Sequence, residues 1–383
     1  YYVERGLGSL TAGGSITTNE ARTPSRGILV NEAPLDSRTW LPTTLFVGKS
    51  TFDVVAAKDI LLGPVSNPFL LPQGINNRFW YKTYFNTFSP ESGASVVSYG
   101  GDITHRNAVA RSVGGANSML RTWYDAHNLF TGAGSTQRSA NFQPWLRLAE
   151  TGLNSFNEVF ELSAPNLATT SFAGSVKLVG NITLAPSATG DLTIAAGQGI
   201  IGLNEAGTAL VQGVNATLYT YSTVNVSDAS PAAIRAYTNP LAYQSAVGRN
   251  QSAQVTSSVD ILQSVGQALT ETGSYSGSSA SALIKRALHG ESILHANAGN
   301  PVSLNALDGD ITGLRLFTPK KTEIYAERDI TDVAFYLQNT NRNDISVVSS
   351  GRDLIPFTEG SAQRIIADNL EAGTIIASPG VTT

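Results

Sequence analysis

The sequence predicts an all-β chain, a parallel β-helix whose coils of about 18–24 residues stack as a solenoid, with partly helical insertions. Three observations lead there. A short motif returns along the chain as "VVAAKDILLG", "VVSYGGDITH", "LNALDGDITG", "IYAERDITDVAFYL" and "VVSSGRDLIP". Aligned on the residue after the acidic step, the copies fall at Ile16, Ile60, Ile103, Ile182, Ile200, Ile311, Ile330, Leu354 and Ile375, with short intervals of 18, 19, 21 and 24 and others near twice that. Inside each copy an aliphatic and a small residue sit two apart, the period of one strand face.

The motif reads as a bend between two short strands. Val54 and Ala56, Val96 and Ser98, Ile194 and Ala196, Leu304 and Ala306, Ile324 and Ala326, and Val347 and Ser349 are the pairs expected to face inward. A polar or glycine step follows, which is a turn signal. Ile60, Ile103, Ile182, Ile200, Ile311, Ile330 and Leu354 then turn inward again. Leucine-rich and paired-helix repeats fit less well, because their patterns are missing from the copies.

In chain order, 1–110 reads as β-helix coils with an aromatic-rich excursion near 68–92 that carries Phe79, Trp80, Tyr81, Tyr84, Phe85 and Phe88. Residues 111–170, including "NSMLRTWYDAHNLF" and "QPWLRLAETGLNSFNEVFEL", read as a partly helical insertion. Coils resume over 171–203. A larger partly helical insertion covers 204–300, with short helices expected in "SSVDILQSVGQALTETG" and in "SASALIKRALHG", the latter ending on Gly290. Residues 301–383 return to coils. The Ser/Gly stretch 273–281 reads as an exposed link.

Composition narrows the function classes. Charged residues make up 14% of the 383, and hydrophobic ones 42%, so a core is available and the surface relies on Ser, Thr, Asn and Gly. Net charge is −4 with no long basic run, so no nucleic-acid partner is expected. The absence of cysteine excludes disulfides, thiolate metal sites and a Cys nucleophile. It also suits export through an oxidising space. The opening "YYVERGLGSL", without Met, is expected to belong to a longer protein.

Asp59, Asp102, Asp310, Asp329 and Asp353 are the most tempting catalytic set, since acids on neighbouring coils serve β-helix polysaccharide lyases and hydrolases. A turn role explains more: each side chain would accept a nearby backbone N–H, and the Asn181 and Gly199 that fill the same slot are also turn formers. Catalysis needs unlike groups converging at one place. The nine-residue repeat of calcium-binding β-rolls is missing. The four histidines lack ligand spacing and read as surface residues. No hydrolase, zinc-protease or phosphate-loop motif occurs, so no cofactor is expected. Phe79, Trp80, Tyr81 and Tyr84 form a candidate recognition surface for a glycan, or pack onto the coil.

"VSLNALDGDITGLRLFTPKKTEIYAERDITDVAFYLQN", "DISVVSSGRDLIPF", "FQPWLRLAET", "GSVKLVGNITLAPSATGDLTIAAGQGIIGL" and "VNVSDASPAAI" resemble the filamentous haemagglutinin-like exoproteins of Gram-negative bacteria. The resemblance implies a right-handed β-helix and a non-enzymatic, extracellular, adhesive segment of a large surface fibre. It further implies export of the full-length protein through an outer-membrane two-partner secretion transporter, a surface receptor or glycan as ligand, and self-association into filaments. The family's amino-terminal secretion domain is not recognisable, so the segment is expected to be interior or distal. A carbohydrate-active β-helix enzyme is the alternative.

Overall fold

A computed structural model describes residues 1–17, 43–67, 87–107, 162–211, 214–229, 294–356, 364–367 and 376–377. The expected helical stretches, except Leu162 at the end of "QPWLRLAETGLNSFNEVFEL", which is in a strand, the Ser/Gly link, Ile375 and Phe79, Trp80, Tyr81 and Tyr84 lie outside these residues. Within them every regular element is a strand.

The strands are β1 (Tyr2–Ala12), β2 (Thr43–Ala56), β3 (Ile60–Ser66), β4 (Gly93–Ser98), β5 (Ile103–Arg106), β6 (Leu162–Ser163) and β7 (Asn166–Ser171). There follow β8 (Val176–Val179), β9 (Ile182–Leu184), β10 (Asp191–Ala196), β11 (Ile200–Val211), β12 (Val214–Thr220) and β13 (Ser222–Val226). The chain then forms β14 (Val302–Ala306), β15 (Ile311–Thr318), β16 (Thr322–Ala326), β17 (Ile330–Leu337), β18 (Val347–Ser350), β19 (Leu354–Pro356), β20 (Arg364–Ala367) and β21 (Ile376–Ala377). Eighteen of them share one parallel sheet. The rest of the pairing is antiparallel: β11 with β12, β12 with β20, and β20 with β21.

Two long rows organise the parallel sheet. The first runs β1, β2, β4, β7, β10, β14, β16, β18 and brings Ala12, Ala56, Ser98, Ser171, Ala196, Ala306, Ala326 and Ser350 into register. The second runs from Ile16 through β3, β5, β8, β11, β15 and β17 to β19, aligning Ile16, Ile60, Ile103, Val176, Ile200, Ile311, Ile330 and Leu354. A third, shorter row joins β6, β9, β13 and the later parts of β15 and β17.

Side chains that alternate along the strands explain the core. Val54, Val96, Ile194, Leu304 and Ile324 are 0–1% exposed, and so are Ile60, Ile103, Val176, Ile200, Ile311 and Ile330. Each such aliphatic contributes roughly 1.5–3 kcal/mol by leaving water. They belong to one continuous cluster from Leu45 to Val333. The small column is small for a reason: its Ser members turn back on the bend, with the Ser98 hydroxyl donating to the Lys58 carbonyl at 2.7 Å and the Gly101 N–H donating to Ser98 Oγ at 3.0 Å.

Four expectations are corrected by this register. Ile182 is buried but sits on the third row opposite Val224, and Val176 takes the place assigned to it in the second. "GNITL" copies the turn-then-Ile look of "GDITH", whereas "GSVKL" is the true equivalent. In the last copy Val348 and Ser350, not Val347 and Ser349, continue the inward positions. Leu354 keeps its register with Ile330 yet is 51% exposed, because no described strand lies beyond β19 in its row. Finally, β7 and β13 fall inside spans 111–170 and 204–300 expected as excursions, and both belong to the parallel sheet.

Candidate functional site

The acids of the repeat form a column on one corner. Asp59 Oδ1 accepts the Asp102 N–H at 2.9 Å, and Asp102 Oδ1 accepts the Ser175 N–H at 2.8 Å. Ser175 Oγ takes the Gly199 N–H at 3.3 Å. Further along, Asp310 Oδ1 accepts from the Asp329 N–H and Asp329 Oδ1 from the Asp353 N–H, each at 3.0 Å. The donor is therefore the equivalent residue one rung on, not a neighbour within the same turn. The carbonyls run the other way: those of Asp102, Asp310, Asp329 and Asp353 accept the N–H groups of Ile60, Ile200, Ile311 and Ile330. A bend takes the backbone out of regular ladder geometry, and the carboxylate supplies the acceptor that the bend removes.

The second carboxylate oxygens hold cations. Lys177 Nζ lies 2.6 Å from Asp102 Oδ2, and the Arg352 guanidinium 2.6 Å from Asp329 Oδ2. The same kind of group recurs along the column, with Ser175 and Gly199 in the slot between Asp102 and Asp310. That geometry bonds one rung to the next. It lacks the convergence of unlike groups that acid–base chemistry requires.

Two histidines expected at the surface are buried instead. His105, 3% exposed, points into the core between its register partners Leu62 and Leu178, and its Nε2 lies 2.8 Å from the Thr169 hydroxyl. Burial pushes its imidazole down to about 4. The period of two made this legible, since Ile103 and His105 share a face. His127 and His289 lie outside the described residues.

His295, 1% exposed, belongs to a polar cluster at another edge of the sheet. Its Nε2 lies 3.3 Å from the Ser227 carbonyl. Burial, aided by the Lys320 charge, lowers its pKa against the opposing pull of that carbonyl, Asp228 and Asp191. Lys320, 3% exposed, donates to the Gly190 carbonyl and to Asp191 Oδ1, both at 3.0 Å. The ammonium is thereby held as a strut between two strands. Among the described residues no group of three or more His, Cys, Asp or Glu is placed to hold a metal ion.

On the outside, Tyr99 and Phe172 stack with ring centres 5.6 Å apart and planes 5° from parallel, each about 60% exposed. They occupy the same place on successive rungs, just after the small residue. Asn225, in one of four Asn-x-Ser/Thr sites, is 1% exposed and so is not an accessible glycan acceptor in the fold. Comparison of the chain with protein-family models, curated proteins and solved structures found no match.

Proposed function

We propose that the chain is an extracellular segment of a large secreted surface fibre, folded as a right-handed parallel β-helix of the filamentous haemagglutinin-like kind, which mediates cell-surface attachment or cell–cell contact without catalysis. The column of acids carries this reading: the groups best suited to sugar chemistry are engaged in bonding one rung to the next. The parallel rows, their repeating inward columns and the bends between them are what a stack of coils needs. The right hand follows from the strong preference of parallel crossovers for that hand.

On this reading the full-length protein passes an outer-membrane two-partner secretion transporter, and the segment offers its outer faces to a surface receptor or glycan. Beads coated with the purified chain should retain epithelial or bacterial cells, and free chain should compete them off. Loss of long acidic polysaccharide on incubation with the pure chain, abolished in Asp102→Asn, would sink the non-enzymatic reading in favour of a carbohydrate-active enzyme.

A further inference from the structure

The geometry points to a covalent cross-link inside this chain: an amide between Lys320 Nζ and the side-chain carboxyl carbon of Asp191, closed with loss of one water and with His295 as the proton relay. It stands apart from the attachment reading and gives the buried polar cluster a second role.

Place comes first. Asp191 opens β10 and Lys320 just precedes β16, and in the first row β14 lies between those two strands. In the third row β13 lies between β9 and β15 in the same way. The neighbouring corners, residues 185–190 and 319–321, are short turns, whereas the corner between β13 and β14 holds residues 227–301. Ser227 and Asp228 stand on one side of that long interruption and His295 on the other. Lys320 reaches past it to Asp191, so the pair spans a corner that no short turn closes.

Contact comes second. Lys320 Nζ lies 3.0 Å from both the Gly190 carbonyl and Asp191 Oδ1, so two consecutive residues fix the nitrogen beside the carbon it would attack. The lysine side chain is 3% exposed and that of Asp191 25%. Reactants held this way act at an effective concentration of about 10⁵ M or more. Exclusion of water removes the species that ordinarily returns an amide to acid and amine. An ion pair is costly to keep out of water, and an amide carries no charge to desolvate.

The relay comes third. His295 Nε2 faces the Ser227 carbonyl at 3.3 Å; a carbonyl can only accept, so in the neutral ring Nε2 carries the hydrogen and Nδ1 the lone pair. Nδ1 is buried and has no hydrogen-bond partner. Burial lowers the pKa of the ring and keeps that lone pair free. A methyl group on Gly190 would lie 3.5 Å from Cε1, the ring carbon beside Nδ1, so the imidazole rests on the residue whose carbonyl holds the ammonium.

The step balances within the chain. The ammonium passes one hydrogen along its bond to Asp191 Oδ1, and the resulting amine attacks the carboxyl carbon. A second hydrogen passes through His295 Nδ1 to the same oxygen, which leaves as water, and the third stays on the amide nitrogen. No oxidant or co-reactant is consumed. The Lys177–Asp102 pair is the internal comparison: shorter at 2.6 Å, its side chains are 12% and 37% exposed, and it should remain an ion pair.

Mass spectrometry tests this. The purified 383-residue chain, unfolded and weighed, should be one water lighter than its sequence. Trypsin should fail to cut after Lys320, and residues 316–321 should appear joined to residues 178–235 through Asp191. Lys320→Arg keeps the ion pair, should fold by circular dichroism, and should have its full mass. His295→Gln keeps an N–H for the Ser227 carbonyl without a basic nitrogen. Followed from synthesis in a cell-free extract, it should link about a hundredfold more slowly than the unchanged chain.

A full mass for the unchanged chain after days at neutral pH overturns the inference. So does a missing water with ordinary cleavage after Lys320, or one that persists in Lys320→Arg; either would place the loss elsewhere, as in ring closure at Asp308–Gly309. Linking at an undiminished rate in His295→Gln removes the relay.

Discussion

His105 shows how one buried side chain ties stability to pH. Its imidazole remains neutral in the fold down to about 4, whereas in the unfolded chain it takes a proton near the ordinary 6.5. As pH falls through that window the unfolded state binds the proton first, so stability is lost, by up to about 3 kcal/mol if no other group responds. His105→Leu matches Leu62 and Leu178 in the same column and cannot titrate. Urea titrations should show the wild-type midpoint falling between pH 6.5 and about 4, with a flatter curve for the variant.

At Asp102 two substitutions separate shape from charge. Asp102→Asn keeps an acceptor for the Ser175 N–H and should cost under about 1 kcal/mol, while Asp102→Ala strands that N–H and the partly buried Lys177 and should cost roughly 1–3 kcal/mol. Chemical denaturation of both measures the difference, and equal losses would count against the column. The turn slot of these aspartates was legible in part: Gly199 shares it, whereas Asn181 belongs to the third row and Ser175, which the sequence reading passed over, takes its place. Their partners were not: the Asp59 carboxylate holds an N–H 43 residues away, a distance set by an intervening excursion and not by any local pattern.

At the scale of the element, β15 is shared. Its first residues pair with β11 and its later ones with β13, so the antiparallel excursion of β11 and β12 leaves the sheet and returns beside its point of departure. Gly202 sits at the junction, where a methyl group would lie 1.9 Å from the Gly313 carbonyl oxygen. Backbone cannot move aside cheaply there. Gly202→Ala should cost at least about 2 kcal/mol, seen as a lower melting temperature.

The return at β13 was hard to read, because "STVNV" carries no acid and is one short strand. The slip at Val347 has a different cause. "VVSSG" offers aliphatic-x-small in two adjacent frames, and only the rung beneath chooses between them.

Across the whole molecule the same aliphatic position differs in worth with depth. Ile330→Ala, at 0% exposure, should cost about 2–5 kcal/mol, whereas Leu354→Ala, half in water, should cost under about 1 kcal/mol. Ile330→Asp buries an unpaired charge and should cost several kcal/mol. Thermal unfolding of the three ranks them, and an Ile330→Asp protein melting with the wild type would remove the inward column at that rung. The repeat itself was legible because its two columns recur with constant spacing. Its lengths were not, since four pairs of neighbouring rungs are separated in sequence by stretches that leave no mark on the register.

The bends between the small column and the aliphatic column comprise residues 57–59, 99–102, 172–175, 197–199, 307–310, 327–329 and 351–353, three or four residues at every level. Elsewhere the length of a repeat varies widely. The column at the bend explains the contrast: it tolerates three residues or four, since the three-residue bend at Asp59 still meets the four-residue one at Asp102, but a long insertion there would part each side chain from the N–H it meets, while an addition after Asn107 leaves every rung in place. Added length is thus accommodated after Asn107 and resisted between the two columns. A tag spliced in after Asn107 should be carried without loss of the fold, and the same tag placed between Ser98 and Ile103 should yield insoluble protein.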